Sequence, residues 1–159
     1  MTKEDFVDAL NKGQTDFSGI NLEGVDLQGV DLESVKNLQG ATLVGANLEG
    51  ANLRGANLEG ANLKWVNLEG ATLKWSTLEG ATLRWANLKW VNLEGANLEG
   101  ATLEGADLEG AILEEANLRG TNLRGTNLKW SILEGADLVG ANLEEANLEE
   151  ANLEGVIRD

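Results

Sequence analysis

Several residue types that usually carry chemistry are missing from this sequence. It contains no cysteine, no histidine and no tyrosine, and the lack of cysteine excludes a disulfide framework, a thiolate metal site and a thiol nucleophile. General acid–base catalysis needs a group whose pKa is shifted by burial in a cleft. The five-residue repeat described below implies a filled interior, which offers no evident cleft. We therefore expect no enzymatic activity, no cofactor and no metal site.

Basic residues and long apolar runs are also scarce. The chain has 12 Lys and Arg against 27 Asp and Glu, a net charge of −15, which disfavours nucleic acid and anionic membrane as direct ligands. No run approaches the roughly 18 apolar residues of a membrane span, and the opening MTKEDFVDAL carries acids where a signal peptide has its apolar region. A length of 159 residues predicts one domain, and we expect it in the cytoplasm.

A five-residue repeat dominates what is present. Residues 45–65 read GANLEGANLRGANLEGANLKW, and the same pattern gives 28 apolar centres between Phe17 and Leu153, all but the first being leucine. The centres lie five residues apart except for Leu32 and Leu38, which are six apart. Five residues advance an α-helix by about 500° and put successive leucines on opposite faces of a flat strand. The chain must therefore turn at every unit for each centre to point inward.

The other positions of the unit are equally regular. The residue two before each centre is nearly always small. The residue directly before it is Asn, Thr or Asp except at Ile112 and Ile132, and the second residue after it is glycine in 19 of the 28 units. We interpret the Asn, Thr and Asp row as satisfying corner backbone groups and stacking in ladders, not as a binding face. Glycine tolerates φ > 0, which predicts type II turns at glycine corners and turns of negative φ where Trp, Glu or Ser replaces it.

The segment before the repeat predicts a short helix. Thr2 caps its first turn, its apolar residues recur at helical spacing, and Gly13 supplies a stop. A lone helix this short is marginal in water, so we expect it to dock on the first turn of the repeat, as the cap of a solenoid does. The expected organisation is a capping helix in residues 1–14 followed by the repeat domain in residues 15–159.

The pattern resembles the pentapeptide-repeat family, with its consensus A-(D/N)-L-x-x, from Thr15 to about Val156. The opening LNKGQTDFSGINLEG is also similar to the entry segment of bacterial members, which are plentiful in photosynthetic bacteria. The resemblance implies an all-β fold, a right-handed quadrilateral parallel β-helix in which four units make one coil of 20 residues. The 28 centres would then form about seven coils.

Coils of 20 residues place charges of alternating sign above one another. The two expected columns are Glu69, Lys89, Glu109, Lys129 and Glu149, and Arg84, Glu104, Arg124 and Glu144. Opposite charges on adjacent strands attract, so these columns agree with the implied coil. The extra residue near 35–36 falls at the boundary between the first coil and those that follow, as a bulge would.

Tryptophan supplies the first candidate surface. All five tryptophans take the second position after a centre, an outward corner that is usually glycine, and we expect Trp65 and Trp85 to stack. One interpretation is that each ring packs over a neighbouring coil, with nearby bases in cation–π contact. The other is a surface for a protein partner. The candidate protein-binding patch consists of Trp65, Trp75, Trp85, Trp90, Lys64 and Arg84.

Carboxylates supply the second candidate surface. Stacking at 20 residues puts acids in two adjoining columns, and the candidate acidic strip consists of Glu59, Glu79, Glu99, Glu94, Glu114, Glu134 and Glu154. Such a strip on a rod of regular rise would imitate DNA, and the resembling family includes quinolone-protection proteins that bind DNA gyrase; the alternative is a solvated surface that keeps a rod soluble. We expect a structural or protein-interaction module with an unidentified protein partner. A DNA mimic that binds gyrase or a similar nucleic-acid enzyme is the second hypothesis.

The last repeats predict self-association. The sequence stops at Asp159, soon after the last unit, and an uncovered solenoid end presents apolar centres and unpaired backbone groups. Two such ends stacked on each other give a closed two-fold dimer. Because acids dominate the last coil and salt screens their repulsion, we expect an end-to-end homodimer at physiological salt that weakens when salt is removed.

Overall fold

A computed structural model describes all 159 residues. It has one helix, α1, at Lys3–Asn11, followed by isolated parallel β-bridges from Asp16 to Ile157, with no longer strands because the chain turns after every unit. Bridged residues are 20 apart, except in the three bridges that join the first turn to the second, where the spacing is 21. Four five-residue units therefore make one turn of a β-helix, and the β-helical fold expected from the repeat is confirmed.

Each unit ends in a tight turn that sends the next centre inward. In the unit of Leu38, for example, the N–H of Ala41 donates to the carbonyl of Leu38 at 2.9 Å, and the third turn residue, Gly40, has φ +64°. A positive φ at that position is the feature of a type II turn, so the prediction for glycine corners is confirmed. The centres and the small residues before them fill the interior, where Leu98 is 0% exposed.

Three backbone hydrogen bonds per unit join neighbouring turns. The N–H of Leu98 donates to the carbonyl of Asn117 at 2.8 Å, that of Gly100 to Arg119 at 2.9 Å, and that of Asn117 back to Ala96 at 3.0 Å. The same three bonds form in every unit from the centre at 38 to the centre at 133. This ladder supplies the backbone partners that buried N–H and C=O groups require.

Corners without glycine correct one prediction. Tryptophan and glutamate were expected to adopt negative φ there, but eight such residues have φ between +54° and +61°: Trp65, Trp75, Trp85, Trp90, Glu115, Trp130, Glu145 and Glu150. A left-handed φ costs a residue with a side chain about 1–2 kcal/mol. The ladder opposes that cost, because the N–H of Trp65 donates to the carbonyl of Arg84 at 3.0 Å. Among the non-glycine corners only Ser34 keeps a negative φ, as expected.

The Asn and Asp residues of the row bond as predicted, whereas its threonines, such as Thr42 and Thr82, make none of these side-chain bonds. The Oδ1 atom of Asn47 accepts from the N–H of Glu49 at 3.2 Å, which closes the corner. The side-chain amide of Asn67 donates to Asn47 Oδ1 at 3.0 Å, and that of Asn87 to Asn67 Oδ1 at 3.0 Å. No buried side-chain nitrogen or oxygen lacks a partner. The row therefore stabilises turns and joins them along the stack.

Helix α1 covers the first turn of the stack. The Thr2 hydroxyl accepts from the N–H of Asp5 at 3.1 Å in a capping box. Phe6 is 1% exposed, and its ring centroid lies 4.6 Å from that of Phe17, the first centre. The predicted docking of the helix on the first turn is confirmed. This helix falls short of the length and apolar character that a membrane crossing requires.

The extra residue between the fourth and fifth centres forms a bulge, as predicted. The N–H groups of Lys36 and Asn37 both donate to the carbonyl of Thr15, at 2.9 and 3.2 Å. Val35 points inward and is 1% exposed. Two residues therefore stand opposite one, which is what lengthens the first step of the stack from 20 to 21 residues.

Candidate functional site

Corners project from the stack, so they carry the exposed chemistry. Each corner consists of the two residues after a centre, and the 20-residue spacing of the bridges aligns the corners in four columns. We call column A the corners at 64–65, 84–85, 104–105, 124–125 and 144–145. Columns B, C and D follow at successive intervals of five residues. Columns A and C therefore lie on opposite sides of the stack, and columns C and D are neighbours.

Column A carries a stacked tryptophan pair. The ring centroids of Trp65 and Trp85 lie 5.7 Å apart with planes inclined by 17°, so the predicted stacking is confirmed. Lys64 Nζ lies 3.9 Å from the first centroid and 4.9 Å from the second, and the Arg84 guanidinium lies 5.6 Å from Trp85. The two tryptophans remain 54% and 47% exposed. The pair is thus held by its neighbours and still open to a partner.

The other two tryptophans of the candidate patch lie in other columns. Trp75 is in column C, where its ring centroid is 4.1 Å from the Arg54 guanidinium and 5.0 Å from Lys74 Nζ. Trp90 is in column B. The structure therefore brings together four of the six candidates: Trp65, Trp85, Lys64 and Arg84. Arg54 was not among the sequence candidates, although its position 20 residues before Lys74 was a signal for this contact.

Tryptophan rings also lie over glycine corners of the next turn. A Cβ atom at Gly95 would lie 2.5 Å from Cδ1 of Trp75, and one at Gly105 would lie 2.6 Å from Cδ1 of Trp85. The rings occupy the space that a side chain would need, so glycine is required there by packing as well as by its φ. The signal in the sequence is a glycine 20 residues after a corner tryptophan.

The candidate acidic strip lies on columns C and D. Column C holds Glu94, Glu114, Glu134 and Glu154, and column D holds Glu59, Glu79 and Glu99. Lys74 Nζ lies 2.6 Å from Glu94 Oε2 at one end of the column C run. Arg119 follows Glu99 in column D and pairs with Asp137 at 3.0 Å. Each run of acids therefore ends at a base, and of these two columns column C alone keeps its carboxylates to the last turn.

Ion pairs follow the two predicted columns of alternating charge. Arg84 pairs with Glu104 in column A, and Lys129 Nζ lies 3.0 Å from Glu149 Oε1 in column B. These pairs confirm part of the predicted attraction between turns at 20-residue spacing, whereas Lys89 pairs with Asp107 at 3.3 Å and with neither glutamate of its own column. Because the partners are partly exposed and screened by solvent, each pair adds little to the free energy of unfolding.

Neighbouring charges and corner bonds shift several pKa values. The hydrogen bond to Asp107 raises the pKa of Lys89, and nearby carboxylates add to the effect. The N–H of Val139 holds the pKa of Asp137 below its ordinary value of 3.8, and Arg119 lowers it further. Both shifts favour the charged form. No three or more His, Cys, Asp or Glu side chains come together in a group that could hold a metal ion.

Comparison with known proteins identifies the repeat. The family model described as pentapeptide repeats matches the chain in eight copies, over residues 13–36, 37–70, 56–95, 67–105, 86–125 and 121–157. No curated protein matches the sequence. The family match nevertheless extends over nearly the whole chain.

Solved structures give three further similarities. Rfr23, a pentapeptide repeat protein of the cyanobacterium Cyanothece 51142, is 36% identical over 74% of this chain and 87% of its own, with a TM-score of 0.44. HetL of Nostoc sp. strain PCC 7120, involved in heterocyst differentiation regulation, is 26% identical over 98% and 96%, with a TM-score of 0.26. A trypsin-treated variant of QnrB1, a plasmid-mediated fluoroquinolone resistance protein, is 17% identical over 92% and 86%, with a TM-score of 0.66. At that identity the similarity to QnrB1 concerns the fold alone.

Proposed function

Since the chain belongs to the pentapeptide repeat family, we propose that it is a non-enzymatic protein-interaction module built as a right-handed quadrilateral β-helix of about seven coils. The coil number is supported by the bridges at 20-residue spacing and by the 28 centres. The hand is inferred from the family resemblance. The observation that carries the functional proposal is the stacked pair Trp65–Trp85, which stays about half exposed beside Lys64 and Arg84.

The chemistry of this pair suits a binding surface. Tryptophan and arginine are enriched among the residues that dominate the energy of protein interfaces. The two rings already restrain each other at 5.7 Å, so they lose less conformational freedom on binding than free side chains would. Lys64 and Arg84 add positive charge to a protein of net charge −15. The surface therefore fits a protein partner that offers apolar groups bordered by carboxylates.

A pull-down from source cells tests this proposal. The double variant Trp65→Ala/Trp85→Ala should lose bound proteins that the wild-type chain retains. The control is Trp130→Ala, because Trp130 is also a corner tryptophan, 44% exposed, but lies in column B and donates to Glu150 at 3.1 Å. The proposal is wrong if the double variant, with an unchanged melting curve, captures the same proteins as the wild type.

A second candidate function is a DNA mimic that binds DNA gyrase or a similar enzyme. It is favoured by column C, where Glu94, Glu114, Glu134 and Glu154 follow one another without a base. Successive carboxylates would repeat at the strand spacing of about 4.8 Å, a linear array of negative charge. In a gyrase supercoiling assay this function predicts inhibition by the wild type and less by Glu114→Gln/Glu134→Gln. The matched control is Glu69→Gln/Glu109→Gln in column B, and unimpaired supercoiling with the wild-type chain argues against the mimic.

We further propose that the 159-residue chain forms an end-to-end homodimer through its last turn and acts in the cytoplasm of a bacterium. The centres Leu143, Leu148 and Leu153 are only partly buried, whereas Leu98 is fully buried, which supports stacking on a second copy. Light scattering should report a dimer at physiological salt and a larger monomer fraction at low salt. A monomer mass under both conditions contradicts the dimer.

A further inference from the structure

The hydrogen-bond ladder has one break, between the first and second turns. Along 29–34 the N–H groups of Gly29, Leu32 and Ser34 donate to no atom of the second turn. The N–H of Asn52, which by the pattern of the other units should donate to Val30, is also without a partner. The bridge between residues 31 and 52 is missing from an otherwise regular series. Four consecutive bonds of the ladder are therefore absent at one place.

A cavity of about 500 Å³ lies between the two separated edges. One wall is formed by residues 28–32 and the other by residues 49–52. Ala51 at its base is 5% exposed, whereas the other buried alanines of the core are 0–1% exposed, so solvent reaches this point of the core. The volume falls in the range of about 300–1,000 Å³ that is usual for ligand pockets. We call this cavity the slot.

The bulge explains why the slot is here. The first turn contains one residue more than the second. Counted back from Leu38, the small inward position of the unit falls on Lys36, but Val35 is the residue that points into the interior. The second turn itself is regular, because Asn52 bridges Thr72 on its other side. The chain before the bulge is therefore displaced from a second turn that keeps its geometry. The slot results from the spacing of the sequence and from no special side chain.

The segment that forms the upper wall has room on both sides. A second cavity of about 390 Å³ lies between residues 28–31 and helix α1, lined on the helix by Lys3, Val7, Leu10 and Asn11. The segment is thus flanked by open space towards the helix and towards the second turn. Movement towards the helix would widen the slot without breaking a bond of the ladder.

We propose that the slot binds a short extended peptide carrying lysine or arginine. An extended peptide presents alternating N–H and C=O groups at the spacing of a strand, so it can bond to the unpaired groups of both walls, as in strand addition. Because solvent reaches the slot, the unpaired backbone groups bond to water in the free chain, and such a peptide would replace those bonds with main-chain hydrogen bonds. The lining includes the carboxylates of Asp31 and Glu49 and no base, which favours a basic side chain. This site is independent of the tryptophan pair in column A.

Titration of the ¹⁵N-labelled 159-residue chain with acetyl-Val-Arg-Val-amide tests the proposal by NMR. Saturable shifts should appear at the amides of Gly29, Leu32 and Asn52, and those amides should exchange more slowly with solvent when the peptide is bound. The acidic probe acetyl-Val-Glu-Val-amide should bind more weakly. In Asp31→Asn/Glu49→Gln the affinity for the arginine peptide should fall about two- to fivefold for the loss of partly exposed ion pairs.

Deletion of Lys36 is the sharpest control. It leaves Val35 directly before Asn37 and restores the five-residue spacing, so the slot should close and the shifts at these amides should disappear. Absence of shifts in the wild-type chain at millimolar peptide overturns the proposal, as do equal shifts in the folded deletion variant. If the deletion variant does not fold, the two peptides still decide, because equal affinity of the wild-type chain for the acidic and the arginine peptide contradicts the predicted ligand.

Discussion

The first turn and the turns that follow are built from the same five-residue unit, yet the hydrogen-bond ladder that holds the later turns is incomplete in the first. At Ser34, in the first turn, φ is negative and the N–H has no partner. At Glu115, in the stack, φ is +54° and the N–H donates to Glu134 at 2.9 Å. In the last turn Glu145 and Glu150 keep φ of +61° and +55° without an N–H partner, but the carbonyls of Glu144 and Glu149 accept from Gly125 and Trp130. A corner with a side chain therefore takes the left-handed conformation where a ladder bond holds either its N–H or the carbonyl before it, and Ser34, where the ladder holds neither, relaxes. The ladder, more than the local sequence, decides the shape of a corner.

Side chains compensate for the missing bonds in the first turn. Its small-residue positions hold Ile20, Val25 and Val30, whereas the later turns hold mostly alanine, as at Ala41 and Ala46. These three branched residues are partly buried and pack against the core. Helix α1 covers the turn from the other side. Branched side chains and the helix thus add apolar contact in the first turn, where four ladder bonds are missing, whereas the later turns combine a leucine core with the full ladder.

Truncation of a centre in the middle of the stack should have the largest effect. Leu98 is 0% exposed with a turn on each side, so Leu98→Ala should lower the free energy of unfolding by about 4–5 kcal/mol, the upper part of the range for buried leucine. Leu153 is partly exposed in the last turn, and Leu153→Ala should cost less than about 2 kcal/mol. Denaturant melts measure both. At low salt, where the proposed end-to-end dimer dissociates, equal losses would contradict the stacking.

Removal of the helix clamp should act next most strongly and only on the first turn. Phe6→Ala should cost about 3 kcal/mol, the low end for a buried phenylalanine, because its ring packs on Phe17 on one side of the turn only. Amide exchange should speed up at Leu22 and Leu27 and stay unchanged at Leu98. Unchanged protection in the first turn would mean that the helix does not hold it.

Deletion of Lys36 should make the first turn resemble the stack. Four ladder bonds become possible, and at about 0.5 kcal/mol or more each the free energy of unfolding should rise by about 2 kcal/mol. Ser34 should then shift to a positive φ, which its backbone chemical shifts report. A variant that folds but gains neither protection at Leu32 nor stability would show that the bulge is not the cause of the break.

Substitutions at single corners should change the free energy of unfolding by smaller amounts. Gly100 has φ +65° and open space where the Cβ atom of an alanine would lie, so Gly100→Ala should cost about 1 kcal/mol by backbone strain alone. Glu115→Gly should raise the free energy of unfolding by a fraction of about 1 kcal/mol, because the strain relieved slightly exceeds the added freedom of the unfolded chain. Thermal melts of the pair give opposite signs if the ladder holds these corners in strain, and the same sign if it does not.

The smallest expected effect is on pH dependence. Asp16 in the first turn and Asp137 in the stack both have a pKa below the ordinary 3.8, the first through hydrogen bonds with Ser18 and the second through the N–H of Val139. A lowered folded pKa stabilises the fold above the unfolded value, and the contribution is lost as the pH falls through the folded pKa. Asp16→Asn and Asp137→Asn should therefore reduce the loss of stability between about pH 5 and about pH 2. Unchanged pH dependence in both would show that neither carboxylate is linked to folding.

The spacing alone was enough to predict that centres such as Leu98 point inward, since no straight helix or flat strand can use a period of five. The stacking of Trp65 on Trp85 followed from the same arithmetic. The φ of Trp65 could not be predicted from local preference, because a hydrogen bond to Arg84 in the next turn outweighs it. That Trp75 lies on another side of the stack from this pair becomes clear only when the corners are assigned to columns. The slot could not be predicted without knowing which hydrogen bonds the bulge leaves unmade.

Amide hydrogen exchange of the free 159-residue chain tests the central claim most directly. If one ladder binds the stack and is broken only between the first two turns, the amides of Leu98, Gly100 and Asn117 should be strongly protected. Those of Gly29, Leu32, Ser34 and Asn52 should exchange rapidly. Equal protection of the two sets would contradict the break, and rapid exchange at Leu98, Gly100 and Asn117 would contradict the ladder itself.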